Sequence, residues 1–131
     1  MPFTSVLPTI LNMICPLPGL EGHTAYQLES DPGQPLFNFM VSRSDPGLSL
    51  TLVRPDLFFP NYRPRLRQEV LDRLDCKESE LDMHLVVSVQ DGHLGANLAA
   101  PVLVHTESGR AIQAILDDPE AEVFAPLRRS L

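Results

Sequence analysis

Proline and glycine interrupt this chain so often that no element can run long. Thirteen prolines and seven glycines are spread along its 131 residues. Each proline removes a backbone donor and fixes φ, which disfavours long helices and leaves many short strands as the economical solution. Turn signals stand at residues 15–22 (Cys15-Pro16-Leu17-Pro18-Gly19-Leu20-Glu21-Gly22), Asp31-Pro32-Gly33-Gln34, Ser44-Asp45-Pro46-Gly47, Asp91-Gly92-His93 and Ser108-Gly109. Strand-length runs lie between them, at residues 6–15 (in two pieces around Pro8), 24–30, 35–42, 48–53 and 81–90. Phe37, Phe39 and Val41 alternate with Leu36, Asn38 and Met40, the period of two expected of a strand. Residues 81–90 are apolar enough to be a central strand.

The best-built pair flanks Ser108-Gly109. Val102, Val104 and Thr106 would share one face of its first strand, and Leu103 and His105 the other. In the second strand Ile112, Ala114 and Leu116 alternate with Gln113 and Ile115. Pro101 suits a strand start, and Asn97 can satisfy loop backbone groups ahead of it. Only one segment has helical spacing: Leu66, Val70, Leu71 and Leu74 predict a helix over residues 66–75, with Arg67, Glu69, Asp72 and Arg73 as a solvated face. The expected fold is mainly β: a small antiparallel β-barrel with one short α-helix as plug or lid, in a single domain over residues 1–131.

The formal charge of −7 and pI near 4.9 repel phosphate backbones, so a direct nucleic-acid partner is not expected, whereas a basic protein would be attracted. Cys15 and Cys76 form no CxxC and read as reduced thiols of a cytoplasmic protein. Pro8 and Asn12 interrupt the apolar start and no cation precedes it, so neither a signal peptide nor a membrane span is expected. His23, His84, His93 and His105 are scattered without metal-ligand spacing, and neither metal nor cofactor is expected. Ser108 stands in no nucleophile elbow, and acidic neighbours raise rather than activate the Cys76 thiol. No catalytic residues are expected. Phe58, Phe59 and Tyr62, in a proline-bounded loop, either cap the core or offer aromatic anchors to a partner.

Three blocks, in order, resemble the FliW family of flagellar assembly factors. Pro18-Gly19-Leu20-Glu21 is similar to that family's I-P-G-F-E turn, and Pro55-Asp56-Leu57-Phe58-Phe59-Pro60-Asn61-Tyr62 to its N-P-x-x-F-F-x-x-Y segment, followed by the helix at Arg67-Gln68-Glu69-Val70-Leu71. Ala96-Asn97-Leu98-Ala99-Ala100-Pro101-Val102-Leu103-Val104, close to T-A-N-L-x-A-P-I-x-I, is the most specific, and Gln113-Ala114-Ile115-Leu116 resembles the Q-V-I-L strand. The resemblance implies a cytoplasmic, non-enzymatic β-barrel that binds flagellin and the carbon-storage regulator CsrA, a basic mRNA-binding dimer that represses flagellin translation. It implies a partner switch: once flagellin is exported, the freed protein binds CsrA and relieves the repression. Partner-facing candidates are Phe58, Phe59, Asn61 and Tyr62 in the aromatic loop, Asn97 before the strand, and the acidic run Asp117, Asp118, Glu120 and Glu122. The chain departs from the family pattern at Pro16, Leu20 and Met40, the last standing where a glutamine is usual. It also has only about twenty residues ahead of the first turn, so the barrel edge there is expected to be open or completed by a partner's strand. A flagellin-dedicated chaperone without CsrA binding, and a small β-barrel enzyme built on the scattered histidines, are the alternatives.

Overall fold

The computed structural model describes residues 10–127. Its strands are β1 (Ile10–Met13), β2 (Ala25–Ser30), β3 (Phe37–Ser42), β4 (Ser49–Val53), β5 (Leu81–Gln90), β6 (His93–Ala96), β7 (Val102–His105), β8 (Arg110–Gln113) and β9 (Ala125–Pro126), with one α-helix, α1 (Gln68–Leu74). Short 3-10 turns occupy Pro55–Leu57 and Glu78–Glu80. Of the expected first strand, residues 10–13 are seen as β1, and its first part lies outside the described residues.

The nine strands form one sheet in the order β4-β3-β2-β1-β8-β7-β5-β6-β9, and β4 also pairs with β5. That extra pairing closes seven strands into a barrel. All neighbours are antiparallel except β1 and β8, which pair in parallel through Asn12–Arg110 and Met13–Ala111. The small antiparallel barrel expected from the sequence is thus observed, with this one parallel seam, and its first edge is not open. β1 lies between β2 and β8 and has a partner on both sides.

The turn chemistry explains the register. Pro18 and Gly19 (φ 81°) are the central residues of a turn closed by Leu20 N–H donating to the Leu17 carbonyl at 2.9 Å. Asp91 (φ 52°) and Gly92 (φ 77°) form the two-residue loop joining β5 to β6, with Gln90 opposite His93. Two successive left-handed residues match the twist of the flanking strands, which is why Asp-Gly serves there.

The barrel interior holds Leu11, Met13, Leu17, Tyr26, Met40, Leu52, Val102, Val104 and Ala111. Met40 is fully buried among them, so its side chain is not part of the surface of this protein. Leu20 packs half-buried against the same cluster. The opposite face of β7 and β8 is also apolar. Leu103, Ile112 and the adjoining Ala114 pack with Leu74 of α1, backed by Leu66 and Val70. The helix is therefore neither plug nor lid: it lies on the outer wall, because Leu103 and Ile112 need cover there. A third cluster, Val53, Leu85 and Ala96, sits under Phe37, Phe58, Phe59 and Tyr62.

His84 pairs with Val102 across β5 and β7 and thus shares its inward face. It is fully buried, and neither ring nitrogen has a hydrogen-bond partner among the described residues. Burial, with the nearby Arg54 guanidinium, pushes its pKa down from 6.5 to about 4, against the opposing pull of Asp82. Because the unfolded chain takes up this proton near pH 6.5 and the folded one only near 4, stability is complete above pH 6.5. It then falls as pH drops towards 4, by about 3 kcal/mol in all. His84→Leu should remove that part of the acid sensitivity in urea unfolding between pH 4 and 7, without loss of stability at neutral pH. An unaltered pH dependence would refute the assignment.

Candidate functional site

The segment after β4 turns sharply. Phe58 N–H and Phe59 N–H both donate to the Pro55 carbonyl, at 3.1 and 2.6 Å, and Tyr62 N–H donates to that of Phe59 at 3.0 Å. This places Phe58 and Phe59, with ring centroids 6.5 Å apart, on the Val53–Leu85–Ala96 cluster. Both rings are half-buried and cap the outer wall of the barrel.

Tyr62 continues across to the loop at residues 97–101. Its hydroxyl donates to the Leu98 carbonyl at 2.6 Å. Burial, reinforced by Asp118, pushes its pKa up to about 12, so it remains a donor throughout the ordinary pH range. The loop itself is an interruption between β6 and β7. β5 is a single strand, whereas its partner runs as β6 up to Ala96, loops out, and resumes as β7 at Val102. Asn97 fixes the departure: its N–H donates to the Val86 carbonyl at 3.0 Å, and its Oδ1 accepts the Ala99 N–H at 2.9 Å. On the far side, Gln113 Nε2 donates to the Ala100 carbonyl at 3.2 Å, while Ala114 and Leu116 N–H groups donate to those of Pro101 and Ala99.

The acidic run then turns back over this loop. Asp118 Oδ1 accepts the Glu120 N–H at 3.0 Å, and the Glu122 carbonyl accepts the Leu98 N–H at 2.8 Å. Phe124 next lays its ring on Gly95, where a Cβ would come within 2.4 Å of it, so only glycine permits this approach. β9 pairs with β6 beyond it.

Between the two crossings lies a groove of about 650 Å³. Leu66, Leu98 and Leu116 are among its lining residues, with Asn61, Tyr62, Arg63, Arg65 and Arg67 from one segment and Asp117, Asp118, Glu120 and Glu122 from the other. The structure thus brings together Asn61, Tyr62, Asp117, Asp118, Glu120 and Glu122 from the expected set. Phe58, Phe59 and Asn97 do not line the groove; they hold up the segments that do.

Sequence reasoning missed the arginines. Arg63 spends its Nη1 on the Pro60 and Tyr62 carbonyls, and Arg67 pairs with Glu69 at 3.0 Å. No arginine bridges to the acidic wall among the described residues, so that wall's carboxylates remain open to a cationic ligand. Alternate Arg-x-Arg-x-Arg spacing at 63, 65 and 67 was the available signal for a common face in extended chain.

A family model, FliW protein, matches residues 5–127. The chain belongs to the FliW family. A relative in Syntrophomonas wolfei, flagellar assembly factor FliW, is 34% identical over 94 residues, which are 70% of this chain and 60% of that protein. The factor of the same name from Symbiobacterium thermophilum is 34% identical over 91 residues, 67% of this chain and 66% of the relative. That from Shouchella clausii is 31% identical over 115 residues, 85% and 78% of the two chains. This FliW-family chain therefore spans less than two thirds of the length of some of its relatives. The crystal structure of a flagellar assembly factor FliW superposes with a TM-score of 0.83 at 22% identity, over 93% of this chain and 87% of that one, so the barrel with its outer helix is the family fold.

Tyr62→Phe leaves the ring in place but the Leu98 carbonyl without its donor. Thermal or urea unfolding should show a loss of about 1 kcal/mol, and a loss under about 0.3 kcal/mol would mean the bond contributes nothing to holding the groove.

Proposed function

We propose that this protein acts in flagellar assembly as a non-enzymatic regulatory binding protein of the cytoplasm. In this reading it binds the repressor CsrA, so relieving repression of flagellin mRNA, and exchanges CsrA for flagellin. The observation that carries the reading is membership of the FliW family over residues 5–127. Charge supports it. A body of formal charge −7 attracts a basic RNA-binding partner, and once docked beside it opposes RNA through the local potential, an effect that salt weakens. The groove supports it too: its carboxylate side and apolar floor suit a basic, partly apolar protein segment, with Arg63, Arg65 and Arg67 on the opposite side left to meet acidic groups of the same partner. No described helix is long and apolar enough to cross a membrane.

The test is calorimetric titration with CsrA and flagellin from the same organism, at two salt concentrations. CsrA binding at micromolar strength or tighter, weakened by salt and blocked by flagellin, is expected. The triple variant Asp117→Asn, Asp118→Asn, Glu120→Gln keeps the local turn, since an asparagine side chain at position 118 can still accept the N–H of residue 120. It should bind CsrA about tenfold more weakly at low salt, with an unchanged melting temperature. Binding to flagellin alone would establish a dedicated chaperone instead, and binding to neither would overturn the proposal.

A further inference from the structure

At the C-terminal end of α1, away from the groove, a thiol, a carboxylate and an imidazole converge. Cys76, Glu80 and His105 each offer one ligand atom, and the three atoms lie within 4.8 Å of one another. We propose that they form a binding site for a divalent transition metal of the zinc class.

Three elements assemble the site. α1 ends at Asp75, in the left-handed conformation (φ 54°), and the chain turns so that Cys76 N–H donates to the Leu71 carbonyl at 3.3 Å. Glu80 closes the 3-10 turn that leads into β5. His105 is the last residue of β7 and lies in register opposite Leu81, next to Glu80. The site is thus the point where the helix end, the start of β5 and the end of β7 meet, above the Leu74–Leu103–Ile112 cluster against which Cys76 packs.

The ligands are held from behind, as metal ligands usually are. His105 Nδ1 is hydrogen-bonded to Ser108 Oγ at 2.7 Å, which orients the ring and leaves Nε2 for a metal. Ser108 is itself placed by accepting the Arg110 N–H at 3.2 Å. One Glu80 oxygen, Oε1, accepts the Lys77 N–H at 2.8 Å, and the other is uncommitted in this bond. A shallow recess of about 390 Å³, lined by Asp75, Cys76, Lys77 and Glu80 among others, opens two of the three ligands to solvent.

Thiolate, imidazole and carboxylate together suit zinc, whereas calcium and magnesium prefer oxygen alone. Cys76 is half-buried at the helix end, and its sulfur is one of the three converging ligand atoms. When a dication binds, the sulfur–metal bond forms as the S–H proton leaves to solvent. Two anionic ligands and one neutral ligand would then neutralise the ion's charge, leaving one position of a four-coordinate zinc for water.

The experiment uses the untagged, chelator-treated full chain, titrated with Zn(II) by calorimetry and with Co(II) by absorption. Expected are one ion per chain, a thiolate-to-cobalt charge-transfer band, and a rise in melting temperature with Zn(II). Cys76→Ser, His105→Gln and Glu80→Gln should each weaken binding about 10–100-fold, whereas Cys15→Ser should not. Should a variant fail to fold by circular dichroism, alkylation of the unmodified chain decides: Zn(II) should protect Cys76 from iodoacetamide while leaving Cys15 reactive. No saturable binding, no charge-transfer band, an affinity unchanged by loss of Cys76 or His105, or equal alkylation of Cys76 with and without zinc would overturn the proposal.

Discussion

β7 and β8 carry apolar side chains on both faces, and most of the architecture follows from covering them. Val102, Val104 and Ala111 fill the barrel, while Leu103 and Ile112 point out. Each outward side chain left in water would forgo about 1.5–3 kcal/mol, so the outer wall must be roofed. The roof is α1, only seven residues long and far too short to persist alone; Leu74, Val70 and Leu66 give it stability by packing on the wall. The Pro55–Leu57 turn and the rings after it do the same for Val53 and Leu85. The segment joining these two roofs, residues 61–67, has nowhere to run but along one side of the groove.

The loop between β6 and β7 fixes the other side. A continuous strand opposite β5 would have satisfied that edge with backbone ladder bonds. Instead residues 97–101 leave the ladder and offer their polar groups to neighbours: Leu98 to Tyr62 and Glu122, Ala99 to Leu116, Ala100 to Gln113. The groove's two sides are thus both tied to one five-residue interruption. This gives a physical meaning to the Asn-Leu-Ala-Ala-Pro stretch beyond its place in a family pattern. Asn97 makes the exit turn, and Pro101, lacking an N–H, marks the return.

Local chemistry made much of the fold legible in the sequence. Alternating residues and Pro/Gly turns located β2, β3, β4, β5 and β7 to within about two residues, because strand period and turn conformation are properties of neighbours in the chain; β8 was expected to run on to Leu116 but ends at Gln113. β6 was folded into the turn before the hairpin, since four residues ending in Gly-Ala carry little strand signal. The side of the barrel occupied by α1 was not legible: alternation says that a strand has two apolar faces, not which of them looks inward. The parallel β1–β8 pair, the inward aim of Met40 and the arginines beside the acidic run all depend on contacts between distant segments. So does the meeting of His105 with Cys76 and Glu80, created by the β5–β7 register and invisible to any search for short ligand spacing.

The parallel seam between β1 and β8 joins residues 12–13 to residues 110–111, nearly opposite ends of the described chain. A ribosome adding about 5–20 residues each second releases the first strand several seconds before its second neighbour exists. Throughout that interval one edge of β1 has no partner from its own chain, an invitation to pair with a strand of another molecule. Closure is therefore among the last long-range events available to the newborn chain and the slow kind of pairing by loop-closure entropy. A message cut short before β8 would yield not a smaller barrel but an open, adhesive sheet.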